Sequence, residues 1–157
     1  MLSYKRIYLY NLKEQIIINR ILLACGKNMA INEGLHHWDN DNIKNFLIVL
    51  FCMLKNKVYL VMLDKEPVAT FQINKIDNIL YFEKLACLPD KTGNGIGTWC
   101  LESIEDLAKD NYCERVTMDV YSSSKKAIKF YKKRGYKQYN VNKTLKYTQI
   151  RMEKNLY

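Results

Sequence analysis

Residues 91–97 read KTGNGIG, which places three of the chain's six glycines on alternate positions. Pro89 and Asp90 precede them, and a long amphipathic run follows. A glycine-rich turn from a strand into a helix is an anion site in physical terms. The first amides of a helix have no carbonyl partner and carry the positive end of its dipole, and glycine lets an anion come close. Two nucleotide loops are excluded by spacing. A Walker A loop ends in Gly-Lys-Ser/Thr, whereas Gly97 is followed by Thr98 and Trp99. A dinucleotide fingerprint reads G-x-G-x-x-G, and the pattern here is G-x-G-x-G. A turn that only connects two elements is the competing reading.

The remaining reactive side chains are few. His36 and His37 are the only histidines, adjacent in the loop GLHHW before Asp39. An imidazole titrates close to neutral pH, so they and Trp38 are candidates to line an acceptor pocket; packing of the loop is the alternative. The five cysteines (Cys25, Cys52, Cys87, Cys100, Cys113) form no Cys-x-x-Cys pair and have no histidine at ligand spacing. They read as reduced core residues of a cytoplasmic protein, with no disulfide framework and no metal.

The elements that must position these groups follow from periodicity. A first strand is expected over 5–11 and a helix over 12–25, with Leu12, Ile16, Ile17 and Ile21 at helical spacing and Gly26 ending it. Asp39 or Asp41 is a candidate N-cap for a helix through residue 54. Within it, FLIVLFCML (46–54) is nine residues, too short to span a bilayer, and reads as a buried helix segment. Strands 57–63 and 67–74 read as a hairpin, and 79–87 as a third strand. A helix over 95–110 sets Ile96, Trp99, Cys100, Ile104, Leu107 and Ala108 on one face. A strand at 114–120, a helix at 124–134 stopped by Gly135, and strands near 136–141 and 147–154 complete the chain. The order is β-α-α-β-β-β-α-β-α-β-β, a mixed α/β domain with a right-handed crossover at its centre.

Bulk properties fit one domain over residues 1–157. The chain is 48% apolar and 26% charged, with two prolines and no repeat or linker. The N-terminus shows no signal-peptide core. The formal net charge is +9, with +3 in residues 1–78 and +6 in 79–157. A basic surface favours an anionic partner without naming it. Lys125, Lys129 and Lys133 repeat at i, i+4, either as a basic patch or as a solvated face. Twelve tyrosines do not interleave with the basic residues as a stacking platform would, which argues against nucleic acid.

The stretch YFEKLACLPDKTGNGIGTWCLESIEDLA (81–108) resembles the central motif of the GNAT superfamily of acyl-CoA N-acyltransferases. That motif is a strand, a Pro with an acidic residue, Arg/Gln-x-x-Gly-x-Gly/Ala, then a helix. MDVYSSSKKAIKFYKKRGY (118–136) is similar to the family's second segment, strand–Asn–x–x–Ala–helix–Tyr–x–x–x–Gly–Phe/Tyr. GLHHW resembles the Gly-x-x-x-Trp loop of small members, and QIRMEKNL their closing strand.

The resemblance implies a mostly antiparallel sheet of six or seven strands with about four helices. It implies acetyl-CoA as co-substrate, with no metal and no membrane, and transfer of the acetyl group to a primary amine by direct attack in a ternary complex. The amine would belong to a small molecule or a peptide, and a homodimer is left open. Gly93, Asn94, Gly95, Ile96, Gly97 and Thr98 would cradle the pyrophosphate. Main-chain groups of Leu85, Ala86 and Cys87 would bind the pantetheine arm and polarise the acyl carbonyl. Ser124 stands at the family's Asn position and Tyr131 at the tyrosine that protonates the departing thiolate. Thr92 stands where Arg or Gln is usual. The general base is Glu83, expected on the same strand face as Leu85 and Cys87, or Asp119, five residues before Ser124. A non-catalytic module that binds CoA or a nucleic acid is the alternative function.

Overall fold

The computed structural model describes residues 1–36, 39 and 43–157, with the Lys44 side chain excepted. Seven strands and four helices follow the expected order: β1 (Leu2–Ile7), α1 (Leu12–Glu33), α2 (Ile43–Lys55), β2 (Lys57–Leu63), β3 (Glu66–Ile76), β4 (Ile79–Cys87), α3 (Ile96–Asp110), β5 (Arg115–Tyr121), α4 (Lys125–Lys132), β6 (Lys137–Lys143) and β7 (Thr148–Asn155). The strand order is β1-β2-β3-β4-β5-β7-β6. Two compact units emerge, one of Met1–Asn74 with Lys84–Ser103 and the other of Lys75–Glu83 with Ile104–Tyr157.

In the first unit, β1, β2 and β3 pair antiparallel. The β2–β3 hairpin turns on Asp64 (φ 47°) and Lys65 (φ 75°), two consecutive left-handed residues that match the right-handed twist of the strands. Alternation sorts β2 cleanly. Val58 and Leu60 join a core with Ile7, Ile18, Ile21, Leu22 and Val49 from β1, α1 and α2. Tyr59 points the other way, stacks on Phe71 at 5.0 Å and meets Tyr4 edge-on at 5.4 Å; Tyr4 in turn reaches Trp99 at 5.9 Å. The turn into α1 is closed by fully buried Gln15, whose Nε2 donates to the carbonyls of Tyr8 (3.0 Å) and Leu9 (2.7 Å).

Two expectations fail here. Gly26 does not end α1; the helix continues to Glu33 and stops at Gly34, left-handed at φ 67° with its N–H on Ala30 O. Gly26 is buried inside the helix. Nor is α2 buried all round. Val49 is in the core, while Leu47, Phe51 and Leu54 stand exposed. The nine-residue run showed apolar content, not which side would be covered.

In the second unit, β4 pairs parallel with β5 from Ile79↔Arg115 to Phe82↔Met118. β5 and β6 both pair antiparallel with β7. Val116, Met118, Val120 and Met152 are buried, as are Ile128 and Tyr131 of α4. Lys125, Lys129 and Lys133 are exposed, so the lysine repeat is the solvated face of this amphipathic helix. Behind Gly135, Tyr136 lies 2% exposed, its hydroxyl donating to Glu105 Oε1 (3.2 Å) while Lys154 binds Glu105 Oε2 (2.7 Å). The face of α3 is wider than expected, because Leu101 and Ser103 are buried with Ile96, Cys100, Ile104 and Ala108.

Among the described residues, no helix is long and apolar enough to cross a membrane. Ile18 is fully buried at the centre of the first core. Ile18→Ala is expected to lower unfolding free energy by about 2–5 kcal/mol, read from the urea midpoint; a loss under 1 kcal/mol would mean the site collapses around the cavity.

Candidate active site

The chemistry of the first unit begins at the end of β4. Lys84 adopts φ 50°, a left-handed conformation costing about 1 kcal/mol for a side-chain-bearing residue. The buried–exposed alternation of β4 stops after Phe82. Ala86 packs on the α1–α2 core, whereas Phe82, four residues earlier, meets Tyr131 and Tyr136 of the second unit's core at 6.0 and 6.3 Å. The left-handed Lys84 interrupts the alternation on which the expected common face of Glu83, Leu85 and Cys87 rests. The Lys84 ammonium donates to Cys52 Sγ at 3.3 Å.

Cys87 is half-buried, and its carbonyl accepts the Cys25 thiol at 3.1 Å, while Leu88 N–H binds Val68 O at 2.9 Å. Burial, with Cys87 close by, pushes the thiols of Cys25 and Cys100 up to about 12. Burial also raises Cys87, with Asp90 adding to the effect. All five cysteines are free, and these three are held as neutral thiols at neutral pH.

A short 3-10 turn over Pro89–Lys91 leads into the glycine loop. Thr92 closes it: its Oγ1 donates to Pro89 O at 2.8 Å and its N–H to the same oxygen at 3.4 Å. Asn94 Nδ2 reaches Lys91 O at 3.5 Å. Lys91 itself lies 3.9 Å from Glu66, so its charge is partly engaged. Gly93 (φ 84°) and Gly95 (φ 80°) are both left-handed, and a Cβ on either would meet nothing within 4 Å. They are glycine for backbone reasons and they border open space. Gly97 is different, an ordinary residue in the first turn of α3. Trp99 N–H donates to Gly95 O at 3.0 Å in the first turn of this helix. The amides of Ile96 and Gly97 come before it, where the helix has no acceptor to offer. The loop is thus a braced turn whose open side presents helix-start amides.

In the second unit the carboxylates separate. Asp119 on β5 is opposite Arg151 on β7. Arg151 Nε and Nη2 donate to its two oxygens at 2.7 and 2.9 Å, and Tyr81 O–H donates to Oδ2 at 3.3 Å. The Asp119 side chain is 10% exposed. The pairing raises Arg151, Asp119 hydrogen bonding being the main cause, and burial raises Tyr81, with Asp119 and Glu83 adding to it. Glu83 is half-buried and has alternated with Phe82 to the Tyr81 side. Tyr131 is 7% exposed and its ring packs among Phe82, Phe130 and Tyr136. Tyr131 and the two carboxylates therefore lie on opposite faces of the β4–β5 pair. Ser124 is buried at the N-cap of α4, its carbonyl accepting Ile128 N–H at 3.0 Å.

His37 and Trp38 lie outside the described residues, as does Asp41. His36 Nδ1 is 2.7 Å from Asp39 Oδ2. No group of three or more metal-ligating side chains gathers among the described residues. Sequence reasoning missed Tyr81, Arg151 and the left-handed Lys84. Arg151 becomes visible only once β5 and β7 are paired, and a left-handed lysine has no composition signal.

The raised thiols make a prediction about pH. A group protonated longer in the folded chain than in the unfolded one lends stability that is full below its unfolded value, here about 9, and drains as pH rises towards 12. The denaturant midpoint should fall between pH 9 and 11, and the fall should be shallower in Cys100→Ala. Equal slopes in both proteins would rule this thiol out as a contributor.

The model of the acetyltransferase (GNAT) family matches residues 30–136. Over 42 residues the chain is 43% identical to the uncharacterized protein YdhI of Bacillus subtilis, an alignment spanning 27% of this chain and 26% of that relative. The fold is similar to that of PaiA N-acetyltransferase from Thermoplasma acidophilum, solved with coenzyme A (TM-score 0.76, 15% identity, 99% of both chains). It is also similar to an acetyltransferase from Thermus thermophilus (TM-score 0.75, 17% identity, 99% of this chain and 97% of the other). With the family model covering most of its length, the chain belongs to the GNAT acetyltransferase family.

Proposed function

We propose that the protein is an N-acetyltransferase that carries an acetyl group from acetyl-CoA to a primary amine. The glycine loop carries this reading: two left-handed glycines border open space at the unpaired amide end of α3. Residues 93–98 suit a pyrophosphate because main-chain amides bind anions whatever the side chains are. Thr92 in place of Arg or Gln gives a shorter reach, but its hydroxyl braces the loop. Main-chain groups of Leu85 and Ala86, with the Cys87 amide, serve the pantetheine arm. The Cys87 carbonyl already accepts one hydrogen bond, from the Cys25 thiol. In this reading residues 1–157 act as one catalytic domain in the cytoplasm.

Direct attack is favoured over an acyl-cysteine intermediate because Cys25, Cys87 and Cys100 are held protonated, and a thiol is a poor nucleophile. The amine must lose a proton. Glu83 suits that role better than Asp119, whose oxygens already accept three hydrogen bonds. Tyr131 returns a proton to the departing thiolate, with Ser124 at the start of its helix. Acid and base on opposite faces of β4–β5 do not neutralise each other, and they suit an amine that enters on one side and a thiol that leaves on the other. His37 and Trp38 remain candidates for the acceptor pocket.

The test is acetyl-CoA with a panel of amines, following release of free thiol. Binding by calorimetry with no thiol release from any amine would leave a CoA-binding module instead. Absence of binding at millimolar acetyl-CoA would end both readings. Tyr131→Phe should lower kcat by about tenfold or more with acetyl-CoA affinity unchanged; an unaltered kcat removes Tyr131 as the acid.

Glu83→Gln should lower kcat by about 100-fold and flatten its rise with pH. Asp119→Asn should act mainly on stability, because it strips Arg151 of its partner. The reverse ordering would transfer the base role to Asp119.

A further inference from the structure

Helix α2 carries an apolar residue at every position except Lys44, Asn45 and Lys55. A helix that is apolar all round is normally buried all round. Here only one side is covered: Val49 is fully buried and Met53 packs on the same core. On the opposite side Ile43 (76% exposed), Leu47 (54%), Phe51 (57%) and Leu54 (66%) repeat at i, i+4, i+8 and i+11. At 100° per residue these four fall within one stripe, three turns long. Four side chains of this size leave on the order of 500 Å² of apolar surface in water, the scale at which a monomer's patch marks an interaction site.

We infer that this outer stripe of α2 pairs with the α2 stripe of a second copy of the chain. Two such faces together approach the roughly 1,000 Å² that a specific interface needs. The stripe holds no charge. Lys55, at its end, leans over the Phe51 ring at 5.1 Å. Lys44 and Lys55 stand at opposite ends of the helix, so an antiparallel pair brings like charges to the same end and leaves the apolar middle free of charge. An acidic acceptor polypeptide or a polyanion would find cations only at the ends of the helix and none along the middle of the stripe. The pairing is hydrophobic, and it works against the +9 net charge of each copy. Screening that repulsion with salt therefore tightens it.

The experiment is sedimentation velocity on the full chain from 5 to 200 μM, at 0.05 and 0.5 M NaCl. Expected is a monomer–dimer equilibrium that tightens severalfold at the higher salt. Leu47→Glu and Phe51→Glu should each weaken it by at least tenfold. Both side chains are exposed, so circular dichroism and the thermal midpoint should be unchanged. A wild-type monomer at 200 μM overturns the inference, as does a dimer that both variants leave intact or that loosens with salt. A monomer that floats with phosphatidylcholine vesicles, and stops doing so in Phe51→Glu, also overturns it and assigns the stripe to a lipid surface. Acetyl transfer does not enter any of these readouts, so this result and that of the amine assay stand separately.

Discussion

A main-chain amide can hold an anion only if no carbonyl and no side chain reaches it first. That requirement organises the stretch from β4 to α3. β4 must end, the chain must reverse, and a helix must start with its first N–H groups facing outwards. The 3-10 turn, the Thr92 hydroxyl and the two left-handed glycines each serve that sequence of events. The third glycine sits one step later, inside the helix, where its freedom is not needed. Thr92 in place of a longer polar side chain changes the surroundings of such a loop without touching the amides that define it.

Charge is handled differently in the second unit. Asp119 accepts three hydrogen bonds, two from the Arg151 guanidinium and one from Tyr81. Partly buried charges are tolerated when they are paired in this way. Such a pair is a structural fastener between β5 and β7, strands joined by their register as well. A carboxylate used as a fastener is a weak candidate for proton transfer.

How much of this was legible in the sequence depended on the kind of signal. Element order followed from periodicity and turn residues, and all eleven elements appear in the expected order. Helix ends were less legible: Gly26 and Gly34 look alike in composition, and only the second is left-handed. The glycine loop was legible because its residue type is dictated by backbone geometry. The left-handed Lys84 was not, since nothing in lysine favours φ 50°. Pairing across strands, which creates the Asp119–Arg151 contact, is non-local and leaves no mark on a single stretch. The covered side of α2 was illegible for a related reason: a helix apolar on every side has no pattern to read.

The hydrogen bonds inside the 92–95 turn have a consequence for how a ligand is received. Thr92 binds Pro89, and Asn94 reaches Lys91, all within the loop itself. The turn is shaped by its own atoms and needs no ligand to shape it. An incoming anion therefore loses little affinity to ordering the chain. Association at such a site is a matter of displacing water from fixed donors, and the lifetime of the complex rests on the rest of the ligand.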